Sequence, residues 1–194
     1  TAVGSAQLDT AIKKFGTAAG LFDGTEDYLS ASDHADFDFG NGSGDFTIDF
    51  WCYPTVTPTG VWVGLIAADT NAGQGWQVAM YDDLAPRLTN DNSNTWLASG
   101  PVMTINTWNH VAVVRKGAGA SDLGIAVNGT FGSWASGAVN LESAGSGATI
   151  GRPYTDSSDW YFTGSLDELR ISKGIARWTE NFTPPTFEYT ASSS

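Results

Sequence analysis

The 194-residue sequence predicts an all-β protein, an antiparallel two-sheet β-sandwich. Three observations carry that expectation. Short apolar runs recur at spacings of roughly 8 to 12 residues. Gly, Asn and Asp punctuate them, and the chain holds 23 glycines to supply tight turns. No stretch sustains a helical period beyond a brief run at Lys173–Trp178. Together these fit short strands linked by turns into two packed sheets.

The elements follow in order. Residues 1–14 are small and polar, with Leu8, Ala11 and Ile12 loosely spaced, and read either as an arm leading into the first strand or as a single helical turn. The sandwich is expected over 15–187, with 188–194 as a tail or linker. Phe15-Gly16, Gly20–Phe22 and Tyr28–Ser30 are short apolar pieces, and Asp23-Gly24 is a turn signal between them. In the acidic loop Ser32–Gly44, Phe37 and Phe39 are spaced to anchor inward while Asp36 and Asp38 face out. Phe46–Tyr53 alternates cleanly. Phe46, Ile48, Phe50 and Cys52 form a core face, and Thr47, Asp49, Trp51 and Tyr53 form a mixed face expected to be partly solvated.

Pro54 and Pro58 stop that strand, and Val61–Ala67, Gly75–Tyr81, Pro86–Thr89 and Thr95–Ala98 are further strand candidates. Thr107–Arg115 is nearly continuous in β-branched and aromatic residues, as in a central strand. Asn128-Gly129 between two apolar pieces predicts a hairpin with a type I′ turn. Ala148–Gly151 is one more short strand, and Trp160–Ser172 the last long one. Within it Leu166, Leu169 and Ile171 share a face only if the parity slips once near Asp167, as a β-bulge allows.

Composition excludes several function classes. Nine basic residues against 21 acidic ones leave a net charge of -12, which repels phosphate backbones, so nucleic acid is a poor partner. Residues 1–50 hold nine Asp and Glu against two Lys, readable as a solvated acidic surface or as material for divalent cations. No run reaches the roughly 18 to 20 apolar residues that span a bilayer, so membrane insertion is not expected. Cys52, the single cysteine, makes no internal disulfide and is expected as a buried apolar residue. His34 and His110 are the only histidines, and His110, inside an apolar strand, reads as a hydrogen-bonded structural residue. No nucleophile elbow, His-Glu-x-x-His pair or phosphate loop occurs.

Six pieces in order carry a resemblance: Phe22-Asp-Gly-x-x-Asp-Tyr-Leu29, Gly44-Asp-Phe-Thr-Ile-Asp-Phe-Trp51, Trp108-Asn-His-Val-Ala112, Ile125-x-Val-Asn-Gly129, Ile150-Gly151 and Phe162-x-Gly-x-Leu-Asp-Glu-Leu-Arg-Ile171. From about Phe15 to Phe182 the chain resembles the concanavalin A-like, laminin G-like jelly-roll domains, and most of all their bacterial and phage branch. The resemblance implies a binding module. It also raises the glucanases of this fold, which hydrolyse with two glutamates on one strand, set two or four positions apart. The five glutamates here, Glu26, Glu142, Glu168, Glu180 and Glu188, offer no such pair, so no enzyme is expected.

Related jelly rolls often hold a structural calcium. By position the resemblance implies Asp23, Gly24, Gly44 and Asp167 as its ligands, partly through backbone carbonyls. The alternative is that Asp167 and Glu168 pair with Arg170 or cap loops. A calcium site of this kind favours an extracellular location, on a secreted protein, a cell surface or a virion.

The eight tryptophans decide what such a module binds. A sugar presents an apolar C–H face and a rim of hydroxyls, so Trp beside Asn or Asp is the expected pairing. Trp51, Trp62, Trp76, Trp96 with Asn94, and Trp160 are the candidates, with Tyr53 and Trp134 also near polar turns or outward in parity and Asp69, Asn71, Gln74, Asp91 and Asn92 as polar neighbours. For each Trp the alternative is a ring in the core or covering the sandwich edge. The first reading is a calcium-stabilised glycan-binding or adhesion module. The second is a structural spacer that packs against sister domains of a parent protein.

Overall fold

The computed structural model describes residues 1–40, 42–70, 74–90, 95–143, 145, 147–153 and 160–190. Asn71, Asp91, Asn92 and Asn94, together with the side chains of Asp69 and Gln74, lie outside the described residues. The strands are β1 (Ala2–Val3), β2 (Gln7–Asp9), β3 (Ala19–Asp23), β4 (Tyr28–Ala31), β5 (Phe46–Pro54), β6 (Trp62–Thr70), β7 (Gln74–Tyr81), β8 (Arg87–Thr89), β9 (Ala98–Ser99), β10 (Asn109–Arg115), β11 (Leu123–Val127), β12 (Thr130–Phe131), β13 (Ala148–Ile150) and β14 (Thr163–Lys173). They form two seven-stranded antiparallel sheets, ordered β1-β4-β13-β6-β7-β8-β9 and β12-β11-β10-β5-β14-β3-β2. We refer to these as the β6 sheet and the β5 sheet.

The expected two-sheet sandwich is therefore observed. Residues 1–14 contribute β1 to one sheet and β2 to the other. A single 3-10 turn, Ala35–Phe37, is the only helical piece among the described residues. The brief helix expected at Lys173–Trp178 is absent: Lys173 ends β14, and Gly174 turns the chain at φ 80°.

The core lies between the sheets. Phe46, Ile48, Phe50 and Cys52 of β5 meet Trp76, Val78 and Met80 of β7, all at 0–1% exposure. Each large apolar side chain buried this way contributes roughly 1.5–3 kcal/mol. Phe39 anchors the acidic loop as expected, stacking on Phe46 at 4.2 Å and meeting Trp76 at 5.1 Å. Asn128 and Gly129 turn the hairpin at φ 51° and 81°, both positive as a type I′ turn requires. The β14 register against β5 shifts between Asp167 and Arg170, with Glu168 at φ 53°. This is the bulge read from the side-chain parity, and it lets Leu169 and Ile171 join Leu166 against the core.

The other face of β5 is not solvated. Thr47, Asp49 and Trp51 are buried, because both ends of the chain fold over them. Phe15 packs edge-on to Trp51 at 5.9 Å, and the Lys14 ammonium sits 3.8 Å from the Trp51 ring. Trp178 and Phe182, stacked at 4.1 Å, cover Ala112, Val114 and Ala126. The Thr47 hydroxyl donates to the Ile175 carbonyl and accepts from the Arg177 amide. Tyr189, within the stretch expected as a tail, donates its hydroxyl to buried Asp49.

Candidate functional site

With the β5 sheet closed on its outside, the outer face of the β6 sheet is the remaining broad strand surface. Its central row runs Ser30, Thr149, Ala67, Gln77 and Thr89 in register. The next is Gly64, Ala79, Arg87 and Ser99, and a third pairs Trp62 with Tyr81. A register shift between Gly64 and Ile66 keeps Leu65 and Ile66 both in the core while Gly64 and Ala67 face out. Small residues in the middle leave a trough between larger ones, and it is filled: Ala67, Gln77, Ala79 and Thr89 there are 0–4% exposed. The chain after β13 crosses it, with the backbone of Arg152 and Pro153 lying so close to Gly64 that no Cβ fits there. The Arg152 guanidinium lies 3.8 Å from the Tyr28 ring. Gln77 is 4% exposed, and its Oε1 has no hydrogen-bond partner among the described residues. An orphan buried acceptor costs about 1–3 kcal/mol.

An aromatic patch stands at one end of the trough. Trp62 and Trp96, both half-buried, contact at 3.8 Å between ring centroids, and Tyr81 lies 5.4 Å from Trp62. Arg87 supports them 5.1 Å from the Trp96 ring. Its guanidinium donates to both oxygens of Asp83, at 2.7 and 2.8 Å, and to the carbonyls of Tyr81 and Ala85. The Arg87 hydrogen bonds hold the Asp83 carboxyl below the usual carboxylate range. The patch thus combines rigid aromatic surface with a neutralised ion pair.

The structure sorts the predicted ligand residues. Trp62 and Trp96 come together. Trp160 is half-buried, and its carbonyl accepts from the Gly64 amide at 3.2 Å, so it borders the trough. Trp51 and Trp76 do not face solvent: of the two readings open for each, the buried one is observed, and neither is a ligand residue. Trp51 has the outward parity read from the sequence, but the N-terminal segment covers it. Trp76 is in the core, its Nε1 donating to the Phe37 carbonyl at 2.7 Å. Its alternation with Val78 and Met80 was the signal for that placement. Tyr81, Arg87 and Asp83 were not singled out; the outward parity of Tyr81 and the Asp83–Arg87 spacing were the available signals.

The expected calcium ligands do not converge. Asp23 pairs with Thr163 at the start of β14, whereas Gly44 leads into β5 opposite Lys173 at its far end. At about 3.3 Å per residue the two ends stand roughly 30 Å apart. The Gly44 carbonyl accepts from Arg115 Nε, and a carbonyl facing a guanidinium repels a second cation. Asp167 Oδ2 accepts the amides of Lys14 and Phe15, at 2.9 and 3.1 Å, and its Oδ1 that of Glu168. Asp167 therefore caps the backbone of the N-terminal segment and of its own bulge, in line with the loop-capping alternative left open in the sequence. Asp23 caps Thr25 within its own turn, and Gly24, at φ 85°, packs on Thr163. Among the described residues no group of three His, Cys, Asp or Glu is placed to hold a metal ion.

Beneath the C-terminal segment lies a buried polar network. Asp49 accepts from Arg170 Nε and Nη2 at 3.0 and 2.9 Å and from the Tyr189 hydroxyl. His110 Nε2 lies 3.1 Å from that hydroxyl oxygen. With the tyrosine proton committed to Asp49, the geometry makes His110 Nε2 the donor. Burial pushes the Tyr189 hydroxyl strongly upward in pKa, with the Asp49 charge adding to it. The network fastens the segment to the sheet, and His110 has the structural role expected.

The sequence matches the family described as the concanavalin A-like lectin/glucanases superfamily over residues 23–180. The chain belongs to that superfamily. No curated protein matches the sequence. Among solved structures the chain is similar to domain 4 of AbnA, a GH43 extracellular arabinanase from Geobacillus stearothermophilus, in complex with arabinotriose, with 17% identity, 89% of this chain and 77% of that one covered, and a TM-score of 0.62. It is similar to the binding domain of botulinum neurotoxin serotype G, at 12% identity, covering 92% of this chain and 44% of that one with a TM-score of 0.59. It is also similar to the Ruminococcus gnavus IT-sialidase CBM40, at 14% identity, covering 78% of this chain and 92% of that one with a TM-score of 0.51. At these identities the likeness is one of fold. No helix among the described residues is long and apolar enough to cross a membrane.

Proposed function

We propose that the chain is a non-catalytic carbohydrate-binding module that works outside the cell. The observation that carries the reading is the Trp62–Trp96 patch with Tyr81 and the Arg87–Asp83 pair on the outer face of the β6 sheet, while the chain's own ends cover the other sheet. Half-exposed indoles suit the C–H face of a sugar, and the partly exposed Arg87 and Ser99 beside them suit its hydroxyls. Structures similar in fold lend support, one solved with arabinotriose and another, the same CBM40, bound to α2,3-sialyllactose. A hydrolytic reading finds less footing. Asp49 is sealed under Tyr189, and Glu168 accepts the Tyr189 amide, so neither carboxylate is free to act on a glycosidic bond.

Titration calorimetry with a panel of polysaccharides tests the proposal. Binding by the wild type and a loss of at least about tenfold in Trp62→Ala support it, since hot-spot aromatic anchors each cost about 2 kcal/mol or more when truncated. Wild-type protein that binds no glycan and self-associates instead overturns it in favour of a structural module. Repeating the titrations with calcium and with EDTA separates a metal-dependent contact from a metal-independent one.

A further inference from the structure

We infer that the seam between the edge strands β9 and β12 continues this binding surface and takes an extended, uncharged glycan chain. The inference rests on the carbohydrate-binding reading above. β9 ends the β6 sheet and β12 ends the β5 sheet. Their edges meet so closely that two glycines are required. A Cβ on Gly132 would strike the Ser99 carbonyl, and one on Gly100 would press on Ile125 and Pro86. Around this junction residues 96–101 and 132–135 enclose an open groove of about 470 Å³, within the roughly 300–1,000 Å³ of ligand sites.

Trp96 belongs to one wall and Trp134 to the other. Both rings are held in place. Trp96 contacts Trp62, and Trp134 stacks on Phe131 at 4.4 Å with the Lys116 ammonium 4.0 Å from its centroid. Ser99 and Ser133 add hydroxyls, and sheet edges present backbone N–H and C=O groups outside the ladder. The groove therefore sets fixed aromatic walls beside alternating donors and acceptors, the complement of a sugar chain.

Charge selects among sugars. Among the described residues no ionisable side chain lines the groove; Arg87 beside Trp96 is neutralised by Asp83, and the Lys116 ammonium, against the Trp134 ring, donates to the Thr179 carbonyl. A carboxylated sugar would find a single cation, Lys116, held against the Trp134 ring at one wall, to offset its desolvation on a protein of net charge -12. A neutral chain meets neither penalty. A peptide added as a further strand is disfavoured because each edge strand is only two residues long. Trp96 is shared with the patch on the β6 sheet, so a chain seated on Trp62 and Trp96 continues toward Trp134, and affinity grows with its length.

The test is calorimetry on the full chain with neutral arabino- and xylo-oligosaccharides of increasing length, alongside sialyllactose and oligogalacturonate. Neutral oligosaccharides are expected to bind more tightly as they lengthen. Trp134→Ala lowers affinity for the long ones about tenfold and leaves the shortest unchanged. Ser133→Glu, at an exposed position, is the second variant: it places a carboxylate in the groove, keeps the melting temperature, and weakens the long ligands alike. If neutral binding is insensitive to length and to both variants while Trp62→Ala abolishes it, the groove assignment falls and the carbohydrate-binding reading stands. Tighter binding of the acidic oligosaccharides, weakened by salt and by Lys116→Gln, overturns the assignment of an uncharged ligand. A wild type that binds no glycan removes the underlying reading as well.

Discussion

Replacing Asp49 with Asn probes how firmly the C-terminal segment is tied to the β5 sheet. The carboxylate is fully buried and receives two bonds from Arg170 and one from the Tyr189 hydroxyl. Asn keeps the volume but removes the charge and points an amide NH₂ at these donors. Losing one partner of a buried pair costs roughly 3–5 kcal/mol. The Arg170 side chain is 26% exposed, so water recovers part of its charge, and a cost near the lower end, about 3 kcal/mol, is expected. At about 2–4 °C per kcal/mol for a chain of this size, the melting temperature at neutral pH should fall by roughly 6–12 °C.

The acid dependence sharpens the test. Burial by itself raises the Asp49 pKa, but the His110 Nε2–H group 3.5 Å away, the hydrogen bonds from Arg170 and Tyr189, and the Arg170 charge outweigh it and hold the carboxyl below its ordinary range. As pH falls, the unfolded carboxyl takes its proton first, at about 3.9. The stabilisation is therefore complete above that value and is lost as pH drops through the folded pKa. The Asp49→Asn variant has no such contribution to lose. Circular-dichroism melts of both proteins, stepped from neutral to strongly acidic pH, should show the gap narrowing below about pH 4. Equal melting temperatures at neutral pH, or a gap that persists unchanged into acid, refutes the reasoning.

Tyr189 gives the alkaline counterpart. Its folded pKa is raised, so the wild type should lose stability as pH climbs past about 10, where an unfolded tyrosine ionises. Melts of Tyr189→Phe at those pH values should show a smaller loss. Gly129→Ala places a Cβ against the Phe182 carbonyl at a positive φ of 81°, and should cost more than about 1 kcal/mol and speed proteolysis between Gly174 and Tyr189. Asp167→Ala frees three backbone amides, and should destabilise by about 1–3 kcal/mol to the same extent in calcium and in EDTA. A loss seen only with calcium present would restore Asp167 as a metal ligand. Cys52 is buried with its thiol pKa pushed up by burial, so a thiol reagent should label it only on unfolding.

Features governed by neighbours in sequence were legible before any fold was known. The Asn128-Gly129 turn follows from which residues accept positive φ. The bulge after Asp167 follows from the parity of Leu166, Leu169 and Ile171, since a strand can keep all three inward only by inserting a residue. Cys52 and the core face of β5 follow from simple alternation. Trp76 was legible too, from its phase with Val78 and Met80, though its large ring and polar neighbours pointed outward instead.

What a side chain meets on the far side of a sheet was not legible. Alternation says that Trp51 points away from the core, and it does. Whether solvent waits there depends on which other atoms fill that space, and these come from Lys14 and Phe15. Gly44 offers a carbonyl, but Arg115, far along the chain, takes it. Asp49 is committed to Arg170 and Tyr189, and those distant partners close the β5 sheet and leave the Trp62–Trp96 end of the β6 sheet as the candidate binding surface. The sequence alone therefore determined the main strands, their turns and the superfamily, because backbone preference and side-chain parity act over a few residues, though not β1 and β2 in the segment read as an arm or a helical turn. The tertiary structure decided which aromatics are open to a ligand, because solvent exclusion and hydrogen-bond commitment depend on segments brought together only by folding.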